Sequence, residues 1–305
     1  MVRYRKAPAN PNIQDRRGQG GTRRRGMAIG GGGLGLGGIL LILILNFCVG
    51  GGLGDLGGMA GGLAPADTPS QTPLTTMAPS ADPDSELKEY MSAVYTDNDL
   101  MWQDIFQTAG RTDYQSPTFV YFEGFTESGC GGADERLGPH YCPLDQTIYL
   151  EFGFFSQLRE QFGARGDLAP AYVVSHEFGH HIQTVLGISE QVRSLQQQNP
   201  NQANDLSIAM ELQADCFAGV WLSTVSIDPS GGEVDEGFIE LDPGELSEAL
   251  EAAAAVGDDR IQAQSTGQVN PDTWTHGSAE QRMEWLQRGI DSGDPGQCDT
   301  FSQLG

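Results

Sequence analysis

Residues Tyr172–Gly187 read YVVSHEFGHHIQTVLG, and the rest of the chain is best interpreted from this stretch. It contains His176, Glu177 and His180 in the arrangement H-E-x-x-H. Residues four apart lie on one face of an α-helix, so both imidazoles can reach a single metal ion. A carboxylate directly after the first histidine can act as general base for a water at zinc. The stretch therefore predicts a helix that binds Zn²⁺ and supports attack of water on a carbonyl.

Two histidines leave a catalytic zinc ion one protein ligand short. The sequence after His180 lacks a third histidine in the spacing H-x-x-G-x-x-H, so a carboxylate from a later helix is the other common solution. Glu211 and Asp215 are four residues apart and lie among apolar neighbours. We predict that Glu211 is the third ligand and that Asp215 accepts a hydrogen bond from a ligand histidine. A solvated acidic face is the alternative for this pair.

The beginning of the chain differs in composition from the remainder. Residues 1–26 hold eight of the 17 basic residues and one acidic residue, although the whole chain has a net charge of −24. Residues 27–53 carry no charge and include the apolar run LGLGGILLILILNFCV (34–49). The positive-inside rule then predicts a basic cytoplasmic arm, one transmembrane helix within 27–53 and an extracytoplasmic remainder. A cleaved signal peptide is the alternative. The anchor explains the arm better than nucleic-acid binding does, so no nucleic-acid partner is predicted.

The region after the apolar run divides into a linker and a folded domain. Residues 54–85 are rich in Gly, Pro, Ser and Thr, which predicts a linker. Residues 86–305 are expected to fold as a mostly helical α+β domain with a small sheet. Besides the motif helix, helices are predicted at 86–109, 153–162, 205–225, 244–256 and 278–289, strands at 118–122 and 147–152, and a surface loop at 226–243. The strand at 147–152 is the candidate edge strand for an extended peptide.

The cysteines suggest an oxidising environment. Cys48 lies in the apolar run, and the other four lie in the part that is expected to be exported, where disulfides form. Of the three possible pairings we favour Cys130 with Cys142, which are close in sequence, and consequently Cys216 with Cys298. Zinc binding by these cysteines is the alternative, but the chain has no C-x2–4-C pair.

Several further segments together resemble a known group of proteins. They are YTDNDLMWQ (95–103), GPHYCPLDQTIYL (138–150), AYVVSHEFGHHIQ (171–183), ELQADCFAGVW (211–221), GDDRIQ (257–262) and THGSAEQRMEWLQRG (275–289). HEFGH followed by E-x-x-x-D is similar to the gluzincin arrangement of thermolysin-type peptidases. The full set resembles the bacterial family of putative neutral zinc metallopeptidases, which are membrane-anchored or secreted. The resemblance covers about residues 86–305 and implies a zincin-like fold, with His176, His180 and Glu211 as zinc ligands and Glu177 as base.

His276 is a further catalytic candidate. Thr275, His276, Gly277 and Arg282 resemble a T-H-P…R segment of HtpX-type and CAAX-prenyl membrane peptidases, with glycine in place of the proline. This resemblance implies that His276 donates to the oxygen that gains negative charge in the transition state. The alternative is a histidine packed at a helix start. Arg282 is expected either to pair with an acid near the site or to lie on an exposed face.

The last two histidines are expected to play other roles. His181 points about 100° away from His180 around the helix, so we expect it to support the structure. His140 lies between Gly-Pro and Tyr-Cys and is interpreted as a loop residue.

These observations predict a single-pass, membrane-anchored zinc metallopeptidase, most simply a metalloendopeptidase, whose partner is a peptide or protein substrate outside the cytoplasm. Two alternatives remain open. One is zinc-dependent hydrolysis of a different amide, and the other is a non-catalytic surface or scaffold protein with a metal-stabilised fold. An intact Glu177 argues against the scaffold, because a structural metal site needs no base.

Overall fold

The computed structural model describes residues 2–18, 82–134, 137–155, 166–227, 234 and 237–303. The transmembrane helix predicted at 27–53 lies outside these residues, as do most of the linker predicted at 54–85 and most of the helix predicted at 153–162. Within the described part of the chain, every helix is too short or too polar to cross a membrane. The anchor and its linker therefore stay predictions.

Helices dominate the described residues, as predicted. Those with bounds inside the described ranges are α1 (Ser85–Thr108), α2 (Leu168–Val185), α3 (Ile188–Gln198), α4 (Ala203–Thr224), α5 (Leu246–Ala255), α6 (Asp258–Thr266) and α7 (Ala279–Ser292). A capping box is present at the start of α7, where the side chains of Ser278 and Gln281 each accept a hydrogen bond from the other's backbone N–H. Helices α3 and α6 were not predicted, because short polar sequences show little apolar periodicity.

The strands form small sheets, which confirms the α+β class. They are β1 (Arg3–Tyr4), β2 (Ile13–Asp15), β3 (Thr118–Phe122), β4 (Phe125–Ser128), β5 (Gly131–Asp134), β6 (His140–Cys142), β7 (Thr147–Glu151), β8 (Ser226–Ile227) and β9 (Ile239–Leu241). The strand orders are β1-β9-β8, β2-β3-β7-β6 and β4-β5. Strand β9 lies in the middle of its sheet and is buried, so the loop predicted at 226–243 is only partly correct.

The four-stranded sheet corrects the prediction of the edge strand. Strands β2, β3 and β7 run parallel, and β6 runs antiparallel to β7. Strand β7 therefore lies between two neighbours, and all five of its residues are buried. A continuous β-branched and aromatic run is typical of such an interior strand. The edge beside α2 is instead β6, which is too short to show a strand pattern of its own.

Residues 2–18 are built into the domain that was predicted to begin near residue 86. Strand β1 pairs with β9, and β2 pairs with β3, so this segment adds one strand to each of two sheets. The basic composition of residues 1–26 had instead predicted a separate cytoplasmic arm. Two strands of two and three residues with charged neighbours leave no readable alternation, which explains the difference.

Close helix packing determines where the motif lies. A Cβ atom at Gly179 of α2 would be 2.8 Å from the Cα atom of Ala214 in α4, so these helices meet backbone to backbone. A Cβ atom at Gly219 of α4 would be 2.2 Å from the carbonyl oxygen of Leu286 in α7. Only glycine permits such approaches. Helix α4 therefore packs tightly against both the motif helix and α7.

Both predicted disulfides are present. Cys130 and Cys142 have Cα atoms 5.8 Å apart, and their bond ties the β4–β5 hairpin to β6. Cys216 and Cys298 have Cα atoms 5.6 Å apart, and their bond ties the end of the described chain to α4. The predicted pairing is thus confirmed.

Candidate metal centre

His176, His180 and Glu211 come together between α2 and α4. One ligand atom from each of the three lies within 4.8 Å of the others. The Nε2 atom of His176 is 3.2 Å from one Glu211 oxygen, and Nε2 of His180 is 3.4 Å from the other. The i,i+4 spacing on α2 and the close contact at Gly179 are what bring the three side chains to one place.

This donor set fits a catalytic zinc ion. Two imidazole nitrogens and one carboxylate are typical protein ligands of such sites, and they leave a position for water. Within the described ranges, no second group of His, Cys, Asp and Glu side chains converges in this way. The three residues that would hold zinc are thus those that the spacing predicted.

Asp215 binds His176 on the side of the imidazole that faces away from the candidate metal position. Its carboxylate accepts hydrogen bonds from Nδ1 of His176 at 2.8 Å and from the hydroxyl of Tyr172 at 2.6 Å. It also accepts from Nε and Nη2 of Arg282, at 2.8 and 3.0 Å. Because a carboxylate only accepts hydrogen bonds, Nδ1 of His176 carries a proton, and Nε2, which lies against Glu211, is the nitrogen that would bind a metal ion after giving up its own proton. Arg282 is buried and paired with an acid, the first of its two predicted arrangements.

A neutral side chain orients His180. Gln183, one turn further along α2, accepts from Nδ1 of His180 at 2.9 Å. Its amide nitrogen donates to the carbonyl of Met210 at 2.7 Å and to the side chain of Gln213 at 3.2 Å. Sequence reasoning missed Gln183, although a glutamine three residues from a ligand and flanked by apolar positions is a usable signal.

The histidines and carboxylates of this cluster shift one another's pKa values. Burial lowers the pKa of His176, but the carboxylates of Asp215 and Glu211 outweigh it and raise that pKa to about 10. Burial also lowers the pKa of His180, and Glu211 outweighs it to give a net increase. Burial raises the pKa of Glu211, yet the two histidines hold it well below its usual range. A metal ion that binds here would replace protons in neutralising the carboxylate.

Glu177 lies on α2 beside the first ligand and is 8% exposed. Its carboxylate accepts no hydrogen bond from any described residue. It is therefore available to a water molecule at the metal position, as a general base requires.

His276 lies just before α7 and is held by Asp258. The Nδ1 atom of His276 donates to one oxygen of Asp258 at 3.1 Å. The other oxygen accepts the backbone N–H groups of Thr275, His276 and Gly277, at 2.7, 2.7 and 3.2 Å. A Cβ atom at the next residue, Gly277, would be 3.3 Å from the side chain of Leu212, the neighbour of Glu211 on α4, so the segment of His276 packs beside the candidate metal centre. Asp258 was not singled out from the sequence, although it lies in the GDDRIQ segment.

The other two histidines differ from each other in their surroundings. His181 is fully buried, donates from Nε2 to the carbonyl of Gln115 at 2.7 Å and accepts at Nδ1 from the hydroxyl of Tyr141. It therefore ties α2 to β6, which is a structural role. His140 lies in β6 rather than in a loop, and its Nδ1 donates to the carbonyl of Gly138.

An H-E-x-x-H helix packed against an E-x-x-x-D helix defines a class of zinc-dependent hydrolases. The chain belongs to the family described as putative neutral zinc metallopeptidases, whose model matches residues 2–301. It is 40% identical over 309 residues to the uncharacterized protein YpfJ of Escherichia coli K12, with 99% of each chain covered. It is 47% identical over 193 residues to the uncharacterized protein Mb2605 of Mycobacterium bovis, covering 62% of this chain and 64% of that protein. No solved structure matches the chain significantly.

Proposed function

We propose that the protein hydrolyses peptide bonds as a zinc-dependent endopeptidase. The observation that carries this proposal has two parts. His176, His180 and Glu211 converge within 4.8 Å, and the carboxylate of Glu177 beside them accepts no hydrogen bond from any described residue. A purely structural metal site would have no use for the second feature.

Glu177 is the proposed general base. When bound, zinc would act as a Lewis acid that polarises the scissile carbonyl and lowers the pKa of a bound water molecule. Glu177 takes a proton from the attacking water and passes it to the nitrogen of the leaving amine. Asp215 and Gln183 keep the Nδ1 atoms of the two histidines protonated, so each Nε2 remains a ligand.

His276 is proposed to stabilise negative charge on the carbonyl oxygen. Its Nδ1 atom is engaged by Asp258, so Nε2 is the atom that can donate towards the substrate. Asp258 also fixes the backbone around His276 through three N–H groups, which limits the movement of the ring. A donor held in place before the reaction is the arrangement that stabilises a transition state best.

The edge of β6 is the proposed binding strand for the substrate. Among the described strands it pairs with β7 alone, and it packs beside α2. The hydroxyl of Tyr141 in β6 donates to Nδ1 of His181, which lies one turn after Glu177 on α2, so this strand is close to the proposed base. An extended peptide that pairs with β6 could continue past both ends of the strand, which favours an endopeptidase.

We further propose that the domain works at the membrane and outside the cytoplasm. Two disulfides support this location, because such bonds form in oxidising compartments. The uncharged apolar run at 34–49 supports membrane attachment.

Replacing Glu177 tests the proposed base. We expect Glu177→Gln to keep its zinc and to lower kcat on a peptide library by about 10²–10⁴-fold, as expected for loss of a general base. Glu190→Gln, an exposed change on the next helix, is the matched control. If the Glu177→Gln and Glu190→Gln proteins both bound zinc and neither were active, the proposed peptidase activity would be refuted and a scaffold role favoured. Activity confined to non-peptide amides would favour the other hydrolase.

Replacing His276 tests its role separately. We expect His276→Ala to lower kcat by about 10²–10³-fold, the usual effect of losing such a donor, with zinc content and KM nearly unchanged. Asp258→Asn should have a smaller effect in the same direction, and the exposed Asp272→Asn should have none. An unchanged kcat in His276→Ala would remove this residue from the mechanism.

A further inference from the structure

The segment 2–18 is held in the domain by backbone pairing at two separate places. Strand β1 runs antiparallel to β9, and the N–H of Arg5 continues the ladder by donating to the carbonyl of Phe238 at 2.9 Å. Strand β2 runs parallel to β3, and the N–H of Arg16 donates to the carbonyl of Tyr121 at 2.8 Å. Removing this segment would expose an edge of each sheet.

Apolar side chains of the segment belong to the core of the domain. Val2 is 6% exposed and lies in the main hydrophobic cluster. Tyr4 and Ile13 pack against the same cluster, and the ring of Tyr4 lies 5.3 Å from that of Tyr90 in α1. A freely moving arm would leave these side chains in water, so their burial favours a segment that stays in place.

Charged side chains of the segment pair with acids of the domain. Arg3 lies 3.1 Å from Glu240. Arg17, whose side chain is 10% exposed, lies 2.5 Å from Asp82 and 3.1 Å from Asp84. The carboxylates of its acidic neighbours raise the pKa of Arg17 despite its burial. Two of the basic residues that would indicate a cytoplasmic arm, Arg3 and Arg17, thus form ion pairs within the fold.

The pairing of Arg17 with Asp82 limits how the chain can meet a membrane. These contacts bring the two ends of the intervening stretch, at Gly18 and Asp82, to one place on the domain. A single crossing would separate its two ends by about 30 Å of hydrocarbon. A return crossing needs a second run of about 20 apolar residues, whereas the sequence after Leu53 soon reaches Asp55, Asp67 and several prolines.

We propose that residues 2–18 lie on the same side of the membrane as residues 82–303, and that any attachment through 34–49 is made from that side. This arrangement differs from the single-pass topology that the positive-inside rule predicts, in which the amino terminus remains cytoplasmic. It depends neither on zinc nor on peptidase activity, so its failure and that of the proposed function are distinguishable.

The topology is tested by labelling the full-length chain. In a Cys48→Ser background, Ala9→Cys places a thiol in the segment and Asn201→Cys places one in the domain, both at exposed positions. The four remaining cysteines are in disulfides. Cells are treated with a membrane-impermeant maleimide before and after permeabilisation. We expect both positions to react under the same condition, and reaction from opposite sides would overturn the proposal.

A second experiment measures thermal stability and tests whether Arg17 holds the segment 2–18 to the domain. In the purified full-length protein, Arg17→Ala should lower Tm by about 2–4 °C, the shift that a modest loss of stability produces in a domain of this size. Arg193→Ala, at an exposed position on α3, is the control and should leave Tm unchanged. Equal Tm values for the two variants would show that the segment does not hold to the domain and would overturn the proposal.

Discussion

The two histidines of the candidate metal centre are supported in different ways. His176 is held by Asp215, which also binds Arg282 and Tyr172, so the support of this ligand is a buried charged network. His180 is held by one neutral amide, that of Gln183. The side chain of His176 is 9% exposed and that of His180 is 20% exposed.

This difference separates two functions of the residues behind the ligands. A buried carboxylate and guanidinium are each costly without the other, so the network behind His176 ties metal binding to folding. The amide of Gln183 is neutral, so losing its partner leaves no unpaired buried charge. Water can also reach the more exposed His180. We therefore expect a substitution behind His176 to lower both stability and metal affinity more than a substitution behind His180.

The largest expected effect comes from Asp215→Asn. Asparagine cannot balance the guanidinium of Arg282, and breaking a buried pair in this way typically costs about 3–5 kcal/mol. We also expect zinc affinity to fall about 10–100-fold, because His176 loses the partner that orients it. Urea denaturation of the zinc-free protein and a chelator competition titration measure the two effects. Asp205→Asn, an exposed change in the first turn of the same helix, is the control.

A double variant separates the two contributions of this network. Asp215→Leu with Arg282→Met removes both buried charges, and such replacements are often neutral for stability. The hydroxyl of Tyr172 then lacks its acceptor, so we expect unfolding free energy to return to within about 2 kcal/mol of the native value. Zinc affinity should stay low, since His176 is still not oriented. Recovery of both properties together would show that Asp215 has no orienting role.

The residues of the candidate metal centre could be predicted from sequence because their signal is local. The spacing of His176 and His180 and that of Glu211 and Asp215 each place two side chains on one helical face, whatever the rest of the fold does. The packing of the two helices then depends on Gly179, which allows their backbones to touch. The disulfides were predicted for a similar reason, since Cys130 and Cys142 are close in sequence.

The parts that sequence reasoning missed depend on contacts between distant segments. Strand β6 has three residues and is defined only by its pairing with β7. Asp258 acts through the backbone of a segment that lies 17 to 19 residues further along the chain. The segment 2–18 shows basic composition in sequence and reveals its strands only beside β3 and β9. No periodicity within such short pieces could indicate these partners.

The smallest expected effect, and the sharpest test of the comparison, comes from Gln183→Leu. Leucine removes the acceptor for His180 and the donor for the carbonyl of Met210, so we expect about 1–3 kcal/mol of lost stability. Zinc affinity should fall by about 10-fold, the lower end for such partners, because water can replace the amide at the more exposed histidine. The control is Gln191→Leu at an exposed position of α3, and both proteins are measured by the same chelator titration. If Gln183→Leu weakened zinc binding as much as Asp215→Asn, the two histidines would be equally dependent on their partners, and the charged network would have no special part in holding the metal.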